Sequence, residues 1–221
     1  MTPTTDRREV LQSRIRLIVT ITIAYNLVEA VVAITAGTLA SSGALVAFGL
    51  DSTIEVLSAA AVAWQFTRRD PERWERGTLR VIAVAFFALA AYVTSSSVLA
   101  LVLRTDVEHS TLGIVITAVS VVLMPFLSLA ERRAGRELGS ATAIADSKQT
   151  LLCTYLSAAV LIGLVLNSLL GWWWADAVAG LVIAVFAVRE GVEAWRGDAC
   201  ATSVGMLLED DDAHDSEHDD D

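Results

Sequence analysis

Two pairs of polar residues stand four positions apart inside otherwise apolar segments: Asp51 with Glu55, and Gln149 with Cys153. In a helix, residues at i and i+4 share one face, so each pair presents two donor groups side by side. Two carboxylates, an amide oxygen and a thiol suit tetrahedral Zn²⁺ and, less exclusively, Co²⁺, Cd²⁺ or Fe²⁺. The thiol argues against Mg²⁺ and Ca²⁺, which prefer all-oxygen ligands. The spacing therefore predicts a transition-metal site, provided that the two pairs meet.

The segments that carry these residues are long enough to cross a membrane. Of the 221 residues, 54% are hydrophobic. Apolar runs of about 20 residues recur along the chain, the length that spans ~30 Å of hydrocarbon at ~1.5 Å per residue. We predict helices at 15–36, 44–66, 79–103, 113–129, 141–170 and 173–188. The predicted fold class is an all-α membrane protein, a six-transmembrane-helix bundle with short connections.

The flanks of the predicted helices are asymmetric in charge. Arginines cluster before helix 1, between helices 2 and 3, between helices 4 and 5 and after helix 6, whereas the opposite loops contain only Arg104. By the positive-inside rule, both termini are cytoplasmic. We expect no cleavable signal peptide, because the first apolar run is long and leads into further spans.

The chain divides by composition into three parts. We predict a cytoplasmic N-terminal segment at 1–13, a six-helix transmembrane domain at 14–197 and an acidic cytoplasmic tail at 198–221. The tail ends in EDDDAHDSEHDDD. A block of like charges cannot bury apolar surface, so we expect this tail to be disordered.

Helical rise predicts that the two polar pairs lie at overlapping depths. Counted from the outer end of helix 2, Asp51 lies ~10 Å and Glu55 ~16 Å deep. Counted from the cytoplasmic end of helix 5, Gln149 lies ~12 Å and Cys153 ~18 Å deep. In a core of ~30 Å, Glu55 is then level with Gln149, and Asp51 with Cys153. Ionisable groups at this depth are costly unless paired, hydrated or metal-bound. Two interpretations stay open: a metal site, or an interhelical hydrogen-bond cluster with Cys153 as a small buried residue.

Further polar residues lie near the predicted site. Asn26 and Glu29 share a face of helix 1, where they either hold the ligands in place, form a proton path, or make an ordinary interhelical contact. Asp146 is either a ligand on the cytoplasmic side or a helix cap, and Lys148 could balance the negative charge. We interpret Asp176, near the outer end of helix 6, as structural.

Three segments resemble the cation diffusion facilitator family of divalent-metal exporters. Residues 38–59 (TLASSGALVAFGLDSTIEVLSA) are similar to its first outer loop and second helix, with Asp51 and Glu55 on the H/D-x-x-x-D motif. Residues 141–158 (ATAIADSKQTLLCTYLSA) are similar to its fifth helix, with Gln149 and Cys153 at the second motif. Residues 174–184 (WADAVAGLVIA) are similar to its sixth helix.

The second motif departs from the family pattern. The family usually has His or Asp followed by Asp where this chain has Gln149 and Cys153. A divergent bacterial branch of the family, labelled only as cation transporters, has a similar QTxLCxYLS run, which this chain resembles more closely. The family's usual cytoplasmic domain has no counterpart in the resemblance, which covers roughly residues 12–197.

The resemblance implies transport by alternating access. Cytosolic divalent metal, with Zn²⁺ preferred, would leave in exchange for external protons, bound by Asp51, Glu55, Gln149 and Cys153. It also implies a homodimer in the bacterial plasma membrane, with the metal ion and the lipid bilayer as partners. We expect no resident cofactor and no nucleic-acid partner. An enzyme is not expected either, since the sequence has no nucleophile–base arrangement or nucleotide-binding glycine loop. The alternative is a membrane interaction or assembly protein without transport, its polar cluster purely structural.

Overall fold

Six α-helices make up the computed structural model of the chain. The backbone is described for residues 5–66, 71–105, 107–138 and 141–196, and the side chains for 13–14, 17–58, 60, 77, 79–105, 107–130, 132–134, 136–137 and 150–196. The helices are α1 (Thr5–Ala40), α2 (Gly43–Phe66), α3 (Pro71–Leu103), α4 (Thr111–Leu138), α5 (Ala141–Leu170) and α6 (Ala175–Arg196). Within the described ranges there is no strand, so the predicted all-α class is confirmed.

The helices occur where the hydropathy pattern places them, although several extend beyond the predicted spans. Four stretches in the described part are long and apolar enough to cross a membrane: Leu17–Ala40, Leu79–Leu103, Thr111–Ala134 and Thr150–Leu170. These belong to α1, α3, α4 and α5. In α6, charged residues interrupt the apolar run at both ends of the helix. Composition therefore supports four spans directly.

The helices pack as two connected groups. One group contains α1, α2, α4 and α5, in which α1 packs on α2 and α4, and α4 packs along α5. In the other, α6 packs along α3, and both also contact α2. The core is formed in equal numbers by alanines and by larger apolar side chains, among them Leu45, Phe48 and Ile183. Many large apolar side chains point outwards instead, as expected for helices that face lipid.

A tight turn joins α1 to α2. The predicted outer loop at 37–43 is shorter in the structure, because α1 continues to Ala40 and α2 starts at Gly43. Ser41 takes a positive φ of 56°, and the backbone N–H of Ser42 donates to the Gly37 carbonyl at 2.9 Å. A Cβ atom on Gly37 would lie 2.7 Å from the backbone nitrogen of Val46. Glycine at this position thus lets the two helices approach closely where α2 begins.

Candidate metal site

The start of α2 is fixed by a carboxylate from α6. Asp176 accepts a hydrogen bond from the Ser42 hydroxyl and a second from the backbone N–H of Ala44 at 3.3 Å. The same Ser42 hydroxyl accepts the backbone N–H of Leu45 at 3.1 Å, as a helix-capping serine does. This bonding agrees with the structural role expected for Asp176. The bonds to Asp176 fix where α2 begins. They therefore help to position Asp51, which lies eight residues after Gly43, the first residue of α2.

Glu55 lies where three helices meet. Its Oε1 accepts a hydrogen bond from the Cys153 thiol of α5 at 2.8 Å. Its Oε2 accepts one from Asn26 Nδ2 of α1 at 2.7 Å. Asn26 and Cys153 are both buried. One carboxylate of α2 therefore links the acidic pair of that helix to the thiol of α5.

A cavity of about 20 Å³ lies beside this contact, with room for one small occupant such as a water molecule or an ion. Its polar lining is Asp51, Glu55, Cys153 and Glu190. Phe86, Leu152, Leu156, Phe186 and Ala187 form the apolar lining. The described lining residues thus carry three carboxyl groups and no basic group. Carboxylates buried in apolar surroundings without a basic partner favour a cation.

The Asp51 carboxylate is available for such a cation. The residue is only 8% exposed, and none of the described residues hydrogen-bonds its side chain. Buried carboxylates are normally hydrogen-bonded or paired, because desolvation otherwise costs several kcal/mol. An unsatisfied acid that faces a cavity is thus the feature that a bound metal ion would explain.

Glu29 is bonded more completely and lies away from the cavity. It is 1% exposed. Ser52 Oγ donates to its Oε2 at 2.7 Å, and Ser120 Oγ donates to its Oε1. Tyr25 shares a hydrogen bond of 2.7 Å with Ser120. These contacts join α1, α2 and α4 and place Glu29 beside Ser52, the neighbour of Asp51.

The predicted pairing of α2 with α5 is wrong by about one turn. Equal depth was predicted for Asp51 and Cys153, whereas the structure joins the Cys153 thiol to Glu55. The cause is the length of α5, which has 30 residues and therefore extends ~45 Å, well beyond a hydrocarbon core of ~30 Å. Counting from the first helical residue thus misplaces the membrane boundary. Asp51 and Cys153 nevertheless line the same cavity.

Three predicted residues on α5 cannot be placed at the site. The side chains of Asp146, Lys148 and Gln149 lie outside the described residues. Among the described side chains, no three His, Cys, Asp or Glu groups are close enough to hold one ion together. The described donors instead form one contacting pair, Glu55 with Cys153, and two carboxyl groups that line the same cavity.

Sequence reasoning missed the fourth polar residue of the cavity. The hydropathy pattern ends helix 6 at Val188, so Glu190 counts as a flanking charge, but α6 continues to Arg196. A signal was present in the spacing of Ile183, Ala187, Glu190 and Ala194, in which steps of four, three and four residues mark one helix face.

The comparison with known protein families agrees with this geometry. Residues 19–197 match the model of the cation efflux transmembrane domain. The chain belongs to the cation efflux family. Members of this family are transporters of metal cations, which explains why acids and a thiol surround a cavity inside apolar helices. The resemblance to the cation diffusion facilitators is thereby confirmed.

One curated relative of the cation efflux chain is the cation-efflux pump FieF of Shewanella oneidensis. The two are 31% identical over 144 residues, which are 62% of this chain and 48% of the relative. The chain thus spans about half the length of the curated relative that it matches. Family and apolar helices together show a multi-pass membrane protein, and the bacterial relative agrees with the predicted location in the bacterial plasma membrane.

Proposed function

We propose that this cation efflux protein exports divalent transition-metal ions, Zn²⁺ in preference to others, in exchange for protons. The ion is bound by Asp51, Glu55, Gln149 and Cys153. The observation that carries the proposal is the contact of the Glu55 carboxylate with the Cys153 thiol beside the unsatisfied Asp51, all within one buried cavity.

The choice of metal rests on the thiol. Sulfur ligands favour Zn²⁺, Cd²⁺ and related ions over Mg²⁺ and Ca²⁺. Two carboxylates and a thiolate together carry more negative charge than a divalent ion neutralises, so either Cys153 stays protonated or a base such as Lys148 compensates.

Proton exchange follows from the Glu55–Cys153 contact. Sulfur and oxygen lie 2.8 Å apart in the structure, a distance that fits a hydrogen bond donated by the thiol. A Zn²⁺ ion bound to both atoms would separate them by ~3.5 Å, given bonds of ~2.3 and ~2.0 Å at a tetrahedral angle. The proton and the metal are therefore alternative occupants, and the pair opens by ~0.7 Å to admit the ion. Metal binding releases protons for this reason, and protons arriving from outside expel the metal.

The proposed arrangement in the membrane is a bundle of six spans within residues 14–197, with both termini in the cytoplasm. The arginines in the first turns of α1 and the last turns of α6 support this orientation. The family resemblance supports a homodimer. The acidic segment at 198–221 lies outside the described residues.

A reconstitution experiment tests the proposal. Purified protein in liposomes is given an inward proton gradient, and transport of Zn²⁺, Co²⁺, Cd²⁺, Fe²⁺ and Mn²⁺ is followed together with internal pH. We expect Zn²⁺ transport coupled to proton movement in the wild type. Asp51→Asn and Cys153→Ser should abolish or strongly reduce it.

The chain offers a matched control for the thiol variant in its second cysteine, since Cys200→Ser also removes one sulfur. Cys200→Ser should transport as the wild type does. If none of the five metals moves, the export proposal fails and the alternative of a membrane interaction protein with a structural polar cluster takes its place.

A further inference from the structure

Glu190 is a cavity carboxylate that neither predicted metal motif contains. It comes from α6, whereas the proposed ligands come from α2 and α5. It lines the same cavity as Asp51, Glu55 and Cys153. Phe186 and Ala187 line this cavity too, and they precede Glu190 by four and three residues, so one face of α6 is turned towards the site.

The surroundings of Glu190 leave one of its carboxylate oxygens without a hydrogen-bond partner. Its Oε1 is buried and has no hydrogen-bond partner among the described residues. The adjacent base, Arg189, forms an ion pair with Glu193 at 2.9 Å. An acid that served only to fix α6 would pair with a base or a backbone N–H, because an unsatisfied buried oxygen costs ~1–3 kcal/mol.

Close packing holds Glu190 in this orientation. A Cβ atom on the next residue, Gly191, would lie 2.9 Å from the Phe87 ring of α3. A Cβ atom on Gly180 would likewise collide with the Ser97 hydroxyl of α3. The two glycines therefore let α6 lie directly against α3, which fixes the rotation of α6 about its own axis. Glu190 faces the cavity as a consequence of backbone packing.

Two unsatisfied acids on one small cavity have a common explanation. Asp51 is over nine-tenths buried, and none of the described residues hydrogen-bonds it. Glu190 lines the same cavity from another helix, and one of its oxygens has no hydrogen-bond partner among the described residues. Two such carboxylates repel each other unless one is protonated or a cation lies between them, so protons and a cation compete for this space.

We propose that Glu190 is a further metal-binding residue, through which α6 contributes a carboxylate to the divalent cation in this cavity. The inference rests on the proposed export function and extends it, because it makes the site a meeting point of three helices. It also adds an oxygen donor, which moves the donor set towards ions that accept mixed oxygen and sulfur ligands, such as Zn²⁺, Co²⁺ and Fe²⁺.

Equilibrium binding of Zn²⁺ to the purified full chain tests the inference, with transport in liposomes measured in parallel. Glu190→Gln keeps the size of the side chain and removes its charge, and we expect it to raise the Kd about tenfold or more. Glu108→Gln is the matched control: it makes the same change at an exposed residue that does not line the cavity, and should leave the Kd unchanged. Glu190→Asp keeps the carboxylate but withdraws it, and should give an intermediate Kd.

The outcomes separate this inference from the export proposal. If the wild type neither binds nor transports any metal, the export proposal itself fails. If the wild type binds and transports Zn²⁺ but Glu190→Gln matches it, only the role of Glu190 is overturned. Should Glu190→Gln not fold, a folded Glu190→Asp variant with wild-type affinity overturns that role equally.

Discussion

Replacing Asn26 tests whether the site depends on how Glu55 is held. Asn26 Nδ2 donates to Glu55 Oε2 at 2.7 Å, while its own Oδ1 is buried and has no partner among the described residues. Only the donor half of this amide is thus used at the site. We expect Asn26→Ala to free the carboxylate to rotate away from Cys153 and to weaken Zn²⁺ binding.

The size of this effect follows from the contact itself. A hydrogen bond to a charged group contributes ~1.5–3 kcal/mol. At ~1.4 kcal/mol per factor of ten, the loss corresponds to a Kd about 10- to 100-fold higher. Removing groups that orient metal ligands has effects of similar size. In the metal-free protein, Asn26→Asp should be more destabilising than Asn26→Ala, because it replaces the hydrogen-bond donor with a second negative charge facing Glu55.

Calorimetric titration of Zn²⁺ into the purified protein measures the change. Asn167→Ala is the matched control, because Asn167 Nδ2 also donates a bond of 2.7 Å, but to the Val107 carbonyl in a connection remote from the cavity. The control should lose stability without losing zinc affinity. The reasoning is refuted if Asn26→Ala binds zinc as tightly as the wild type, or if both alanine variants weaken binding equally.

Four further outcomes are expected. Asp176→Ala should lower the free energy of unfolding by ~2–4 kcal/mol, since it removes two buried hydrogen bonds at the start of α2; unchanged thermal stability would contradict its structural role. Gly49→Ala should destabilise by ~1–3 kcal/mol, because its Cβ would lie 2.9 Å from the Ile34 backbone nitrogen, whereas Gly77→Ala, with open space around it, should be neutral or stabilising. Zinc affinity should fall as pH falls, because protons compete for the donors. If Cys153 binds as a thiolate, Cys153→Ser releases one proton fewer per zinc ion, measured by calorimetry in two buffers; equal release contradicts thiolate binding.

Hydropathy and residue spacing predict the number and approximate positions of the helices, but not where each helix ends. An apolar run reports where hydrocarbon can surround a helix, and the six runs correspond to the six helices of the structure. It does not report where the helix ends, since polar turns continue the helix beyond the membrane. For this reason α1 begins at Thr5 and α6 ends at Arg196, beyond the predicted spans.

At the candidate site, likewise, the sequence predicts which residues take part but not which of them are in contact. The spacing identifies Asp51, Glu55 and Cys153, which the structure brings to one cavity. Which acid meets the thiol depends on the position of α5 along its axis relative to α2, which a hydropathy pattern does not report. Glu190 was missed because the apolar run ends at Val188, whereas α6 continues to Arg196.

The bond between Ser42 and Asp176 has a consequence for how the protein is made. These residues are 134 positions apart in the chain, and synthesis proceeds from the N-terminus. When α2 enters the membrane, its Ser42 hydroxyl and Ala44 amide therefore have no acceptor yet, because α6 has not been translated. Arrival of α6 both completes the α2 terminus and brings Glu190 to the cavity, so a newly made chain gains stability and the full set of cavity carboxylates in the same step.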